Sequence, residues 1–456
     1  MFKKVINQLK LVFNNKCQHP ESQQYQEKYE KINKRLIDNP AILDAIHSDL
    51  KKMGVPTGKS STYTSDTILR MLVVKHVEAL SWRNTIVQIE LNNVLRNFVG
   101  AGLSGKIPTH TYLCGANKFI CESTWKKIND LLLQDAINKE EVSGEKLRVD
   151  TTLCETNIHW PTDSHLLWDS FRVLTSIIRQ FKKQCPNIHL KHRFHNKKVK
   201  KLYTFISRNA NNKSKKTKRT VKIRYNLLIE QVLRAYEASQ SCLTLSENSP
   251  AYIGLCEELE HYLPIVDVVI TQADLRINYD MKLSSDAKVY SIFEEHTELI
   301  KRGKAGKPVE FGHMVMIAQT GEKFISDYSV MEVQEPDKDL VDPLLEGHKI
   351  KFGAYPKNFA GDKGFHESPE KTLTLEEDVE LVCIPKKGNR TAKQLLKEHS
   401  DEFKEMQRFR AGVEGSISTL KRAFGMRRSV LKSFNTFAAN IGCMAVCYNL
   451  VLLSKM

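Results

Sequence analysis

The chain's ten cysteines include no C-x-x-C pair, which argues against zinc ribbons and thioredoxin-like redox sites. Cys443 and Cys447 stand four apart in an apolar stretch and read as buried core thiols. Reduced thiols fit a cytosolic compartment. The start, MFKKVINQLKLVF, is a mixed basic and apolar helix pattern without the uninterrupted apolar region of a secretory signal. The one long apolar stretch, Phe434 to Leu453, is interrupted by Asn435, Asn440 and Asn449. Polar groups are costly inside a bilayer, so a buried core helix is expected there and no membrane partner. A further absence is local. From Ser170 to Ile229 there is no Asp or Glu at all.

That acid-free stretch holds 18 lysines and arginines against a whole-chain net charge of +16, which leaves the rest of the protein at −2. The excess is a patch, not a diffuse coat. Such a surface releases condensed counterions from nucleic-acid phosphates and binds without sequence preference. Lys197, Lys198, Lys200, Lys201, Lys215, Lys216, Lys218 and Arg219 are the candidate DNA contacts, and Tyr203 and Phe205 among them could stack or simply pack. His189, His192 and His195 recur at three-residue spacing, but Lys191 and Arg193 would repel a cation, so phosphate contact is favoured over metal ligation. GVPTGKS at 54–60 imitates a phosphate loop with its first glycine one residue too close and no strand before it, and is set aside.

Residues 1–40 read as a polar, loosely attached helical extension. Ile68, Leu69, Leu72, Val73 and Val77 mark a helix capped at Ser65 or Asp66. Shorter helices are expected at 82–98, 109–120 and 122–137. KLRVDTT (146–152) reads as a strand, and a helix after Pro161 carries Leu167, Phe171, Leu174, Ile178 and Phe181 on its apolar face. A helical stretch runs to about Leu263. Residues 309–319 and 323–331 form a hairpin turning at Thr320-Gly321-Glu322. A helix around 337–348, the segment FAGDKGF (359–365), a helix opening at Ser368, a strand at 379–385 and a helix over 400–424 complete the order. The expected fold is α+β: an RNase H-like mixed β-sheet core flanked by helices, interrupted by a mainly helical basic insertion, and preceded by an all-α N-terminal domain. The boundaries read as 1–40 extension, 41–140 helical DNA-end-binding domain, 141–162 first catalytic strand, 163–263 insertion and 264–456 remainder of the catalytic domain.

Asp150 lies inside the first strand and Asp362 at the end of a later one, while Glu414 projects from the last long amphipathic helix. On that helix Arg410, Glu414, Ser418 and Lys421 share a polar face, opposite Phe403, Met406, Phe409, Val413, Ile417, Leu420 and Phe424. Gly412 and Gly415 inside it cost about 1 kcal/mol each relative to alanine, which suggests a close approach to the helix backbone. Three crowded carboxylates need cations, and oxygen-only ligands suit Mg²⁺ or Mn²⁺. Two such ions roughly 3.5–4 Å apart serve in-line displacement at phosphorus.

The segments DTTLCETNIHWPTDSHLL, SIFEEHTELIKRGK, EFGH, AGDKGF, PKKGNR and RAGVEGSISTLKRAFG resemble bacterial insertion-sequence transposases of the DDE type. Arg410, Glu414 and Lys421 match that family's Y-R-E-K signature, with Gln407 where tyrosine is expected. YTSDTILRMLVVKHVEALSWR through LRNFVG is similar to the helical leader domain of the same transposases. The resemblance implies a metal triad of Asp150, Asp362 and Glu414, phosphate contacts from Arg410 and Lys421, and further DNA contacts from Lys363 and Arg390. It implies recognition of terminal inverted repeats, hydrolytic nicking and transfer of the 3′-hydroxyls to target DNA. A homodimer in the synaptic complex and a cytoplasmic, nucleoid-associated location in a bacterium go with it. The rivals are an RNase H-like nuclease that cuts without joining, and an inactive or repurposed DNA-binding descendant.

Overall fold

The computed structural model describes residues 3–4, 17–54, 61–102, 105–184, 193–246, 253–304 and 306–456. Apart from Lys3, Lys4 and Gly54, the N-terminal basic tract and the phosphate-loop-like segment lie outside the described residues, as do His189, Lys191 and His192. The chain divides into two compact units, one of Met1–Thr156 with Gly312–Met456 and one of Asn157–Phe311.

Among the described residues the first part of the first unit is helical: α1 (Pro20–Asp38), α2 (Pro40–Lys51), α3 (Ser65–Val77), α4 (Trp82–Leu91), α5 (Asn93–Phe98), α6 (His110–Asn117) and α7 (Glu122–Asn138). Helix α1 is not loosely attached. Its Tyr29, Ile32 and Leu36 enter the core, and buried Arg35 reaches Asp135 of α7 at 2.5 Å. The cap of α3 falls one residue earlier than expected, because the Thr64 hydroxyl accepts from the Thr67 N–H at 3.1 Å. The helix expected over 82–98 is two, because Asn92 Oδ1 accepts from Val94 and Leu95 N–H and starts α5 afresh.

Strand β1 (Lys146–Thr156) then leads into the second unit. Among its described residues that unit holds the helices α8 (Asp163–Gln184), α9 (Asn196–Asn209), α10 (Lys215–Ser246) and α11 (Ile253–Asn278). They share a core of Phe171, Leu174, Ile178, Val232, Leu259 and Val266 among others. Helix α11 passes straight through Pro264, where the expected helix stops, because Leu263, Ile265, Val266, Val269 and Ile270 keep one face buried on both sides of the proline.

Strands β2 (Glu298–Lys304) and β3 (Lys307–Thr320) follow, then β4 (Ile325–Val330), α12 (Val341–Phe352), β5 (Asn358–Ala360), α13 (Pro369–Asp378), β6 (Leu381–Cys383), α14 (Ala392–Glu398), α15 (Asp401–Ala423), β7 (Arg428–Ser429) and α16 (Phe434–Leu453). The sheet order is β2-β3-β1-β5-β6, with β4 on β3 and β7 on β1. Strand β1 is central. It runs antiparallel to β3, with Asp150 opposite Ile317, and parallel to β5, with Arg148 level with Ala360. Two residues further along each segment, Asp150 is still on β1, while Asp362 lies past the end of β5 and caps the turn Lys363–Phe365.

Helix α16 is long and apolar enough to cross a membrane by composition, yet 83% of its most apolar window is buried inside this protein. Cys443 and Cys447 are free and buried on it. Asn449 explains the polar interruption. Its amide donates to Asn129 Oδ1 at 2.8 Å and to Ile325 O at 3.0 Å, and its Oδ1 accepts from Ile325 N–H at 2.9 Å. One buried side chain thus ties α16 to α7 and to the first residue of β4, giving the Ile325 N–H an acceptor and sharing the Ile325 carbonyl with Asn129 Nδ2, which donates to it at 3.0 Å.

Candidate active site

Two of the three carboxylates named from the sequence, Asp150 and Glu414, flank Arg410, and the third, Asp362, lies near enough to Asp150 to repel its charge. Arg410 Nη1 stands 3.7 Å from Asp150 Oδ2, and its Nη2 donates to Glu414 Oε1 at 3.1 Å. Asp150 accepts the Thr151 N–H at 2.9 Å. Burial pushes its carboxyl up to about 6; Arg410 opposes that rise, whereas Asp362 and Glu414 add repulsion to it. The three acids are therefore electrostatic neighbours. Asp362 caps the 3-10 turn Lys363–Phe365, its Oδ1 accepting from Gly364 N–H at 2.6 Å. A side chain at 364 would not fit: its Cβ would stand 2.5 Å from an Asp337 carboxylate oxygen and 2.7 Å from Asp362. Glu414 has 62% of its side chain exposed and so has room to turn. Among the described residues no three potential ligands stand in metal-holding range. The donors are all oxygens, the kind a hard divalent cation takes, and the mutual repulsion that raises the Asp150 carboxyl is what such a cation would relieve. The Arg410 Nε–H is buried without a partner and can still receive an acceptor such as a phosphate oxygen.

Helix α15 buries Phe403, Met406, Val413, Ile417 and Leu420, as its stripe requires. Its two internal glycines have different reasons. A Cβ at Gly412 would strike the Arg148 guanidinium, while Gly415 faces open space. Arg148 is buried on β1 and donates to Phe409 O at 2.8 Å and to Gln319 Oε1 at 2.9 Å. Gln407, where the resemblance expects tyrosine, donates to Cys383 O at 2.7 Å. Sequence reasoning passed over Arg148, Gln319 and Asp337, because a lone arginine, glutamine or aspartate carries no spacing signal. Lys421 is half-buried on the same helix, Lys363 is exposed beside Asp362, and Arg390 is engaged by Glu398 at 2.8 Å.

In the second unit Lys197, Lys198, Lys200 and Lys201 on α9 and Lys215, Lys216, Lys218 and Arg219 on α10 are all exposed. None of these eight forms an ion pair among the described residues. Lys197, Lys200, Lys201, Thr204, Phe205 and Arg208 line one open groove. The two aromatics pack: Tyr203 stacks on Trp168 at 6.1 Å, and Phe205 lies beneath Arg224 at 5.5 Å.

A central strand flanked antiparallel on one side and parallel on the other, with acids at the ends of the parallel pair and on a covering helix, is an RNase H-like core. Two family models match the chain: "Transposase domain (DUF772)" over residues 18–118 and "Transposase DDE domain" over residues 283–450. The second contains Asp362 and Glu414, while Asp150 precedes it across the helical insertion. The chain belongs to the insertion-sequence transposases of the DDE type. No curated protein and no solved structure matches it.

Arg410→Ala removes a cation that holds the Asp150 carboxyl down. In the metal-free protein its titration midpoint, followed by carbon NMR of the side-chain carboxyl, is expected to rise above about 6. An unchanged or lower midpoint would mean that Arg410 does not act on Asp150.

Proposed function

We propose that this DNA transposase binds the terminal inverted repeats of its element, hydrolyses the phosphodiester at each end and transfers the freed 3′-hydroxyls to target DNA. Asp150, Asp362 and Glu414 are the catalytic and metal-binding residues. The observation that supports the reading is the gathering of these acids near Asp150: Arg410 of the covering helix stands between Asp150 and Glu414, and Asp362 and Glu414 both repel the Asp150 charge. Transposases of this family generally use a divalent metal. Two Mg²⁺ ions, or Mn²⁺ in their place, would activate the attacking oxygen and stabilise the leaving one.

The chain's own groups supply position and charge. In hydrolysis a water oxygen bonds to phosphorus, its proton leaves to solvent, and the P–O3′ bond breaks to leave a 3′-hydroxyl on the element. In transfer that hydroxyl loses its proton, bonds to a target phosphorus and displaces the target's 3′ oxygen. Arg410, with its unpartnered Nε–H, would hold a phosphate oxygen beside the acids. Lys421, Lys363 and Arg390 would hold flanking phosphates, Arg390 on giving up Glu398. The Y-R-E-K reading of α15 rests on Arg410, Glu414 and Lys421 in one helix. The N-terminal helices, read as the end-binding domain 41–140, would recognise the repeats. The basic faces of α9 and α10 would grip duplex backbone without sequence preference. Joining two ends calls for a homodimer, and the bacterial nucleoid is the place of work.

Asp362→Ala is expected to abolish end cleavage with Mg²⁺ in an oligonucleotide assay while end binding in gel shift stays within a few-fold of wild type. Undiminished cleavage removes Asp362 from the site. Replacing Lys197, Lys200, Lys201 and Arg208 by glutamine is expected to flatten the slope of log affinity against log salt for non-specific DNA by roughly 3–4. An unaltered slope excludes this groove as a phosphate contact.

A further inference from the structure

Helix α15 delivers Arg410 and Glu414, so its position against the sheet decides where they stand. Two side chains fix that position. Gln407 Nε2 donates to Cys383 O at 2.7 Å and, at a longer 3.4 Å, to Gly361 O. Cys383 ends β6, and its carbonyl also accepts the Gly361 N–H at 3.3 Å. Gly361 is the residue before Asp362. A single half-buried amide therefore joins the helix, the end of β6 and the loop that carries the second acid.

Two residues further along α15, the Phe409 carbonyl accepts Arg148 Nη1 at 2.8 Å. The same guanidinium holds Gln319 of β3 through Nε at 3.3 Å and Nη2 at 2.9 Å, and lies 4.8 Å from the centre of the Phe409 ring. Arg148 stands two residues before Asp150 on β1, and Gly412 leaves the space its guanidinium fills. This buried charge is held by neutral acceptors, with no carboxylate paired to it among the described residues. Burying a cation that way is costly, and its return here is geometry, because a planar fork spans helix and sheet at once.

We propose that Gln407 is a positioning residue, not a DNA contact: with Arg148 it latches α15 to the strands of Asp150 and Asp362 and so sets the spacing of the three carboxylates. This rests on the assignment of those acids given under Proposed function. At the place where the resemblance expects tyrosine, the side chain turns inward to two carbonyls. In this chain that position supports the metal ligands.

The test uses the full chain. Mn²⁺ binding is followed by electron paramagnetic resonance without DNA, alongside end binding, end cleavage and the thermal midpoint. Gln407→Met, close in shape but without the N–H donors, is expected to weaken Mn²⁺ binding roughly 10–100-fold, as loss of a ligand's supporting hydrogen bond does. End cleavage falls with it, and affinity for the element end stays unchanged. Arg148→Lys keeps the charge but cannot span Phe409 and Gln319 together. It is expected to move Mn²⁺ affinity in the same direction, and it carries the measurement should Gln407→Met fail to fold. Lower affinity for DNA ends with unaltered Mn²⁺ binding overturns the proposal and makes Gln407 a DNA contact. Unaltered Mn²⁺ binding in both variants overturns it as well. Undiminished Mn²⁺ binding by Asp362→Ala would instead remove the carboxylate assignment on which it rests.

Discussion

Three carboxylates brought together in a half-buried place repel one another, and the first unit is arranged to hold them there. Burial and the neighbouring acids raise the Asp150 carboxyl, and the Arg410 charge opposes them. The parallel pairing of β1 with β5 ends at Arg148 and Ala360, two residues before Asp150 and Asp362 on their segments. Helix α15 brings Arg410 and Glu414 down beside Asp150 from the covering layer. A slip of one residue in β1 would turn Asp150 to the other face of the sheet, so the nine-residue antiparallel pairing with β3 from Leu147 to Glu155 also secures the site.

What the sequence made legible was local. Asp150 could be placed because a β-branched run surrounds it, Asp362 because glycines flank it after a short apolar segment, and α15 because its apolar stripe has helical period. The mixed sheet followed from the order of those elements, and the family models agree with the transposase reading. The Arg148 fork was not legible, since residues 148, 319 and 409 meet only after folding. The same limit explains the smaller corrections. Asn92 as a cap splits a helix whose periodicity looks continuous, and burial on both flanks carries α11 through Pro264.

Charge is distributed with comparable economy of means. The acids and their one bridging arginine belong to the first unit, and the acid-free basic surface belongs to the second, where its lysines stand exposed beside a helical core. Each unit has its own buried apolar cluster. The long apolar helix α16, which composition alone leaves open to a membrane reading, lies in the first of these and is pinned through Asn449 to β4.

The central claim is that Asp150, Asp362 and Glu414 hold metal at a single place. Loading the full chain with Fe²⁺ and adding ascorbate generates hydroxyl radicals at the bound ion, which cut the backbone nearby. Mass spectrometry of the fragments is expected to find cuts clustered around residues 150, 362 and 414 together, all suppressed by excess Mg²⁺. Cuts confined to one of these segments, or lying elsewhere and indifferent to Mg²⁺, would contradict it.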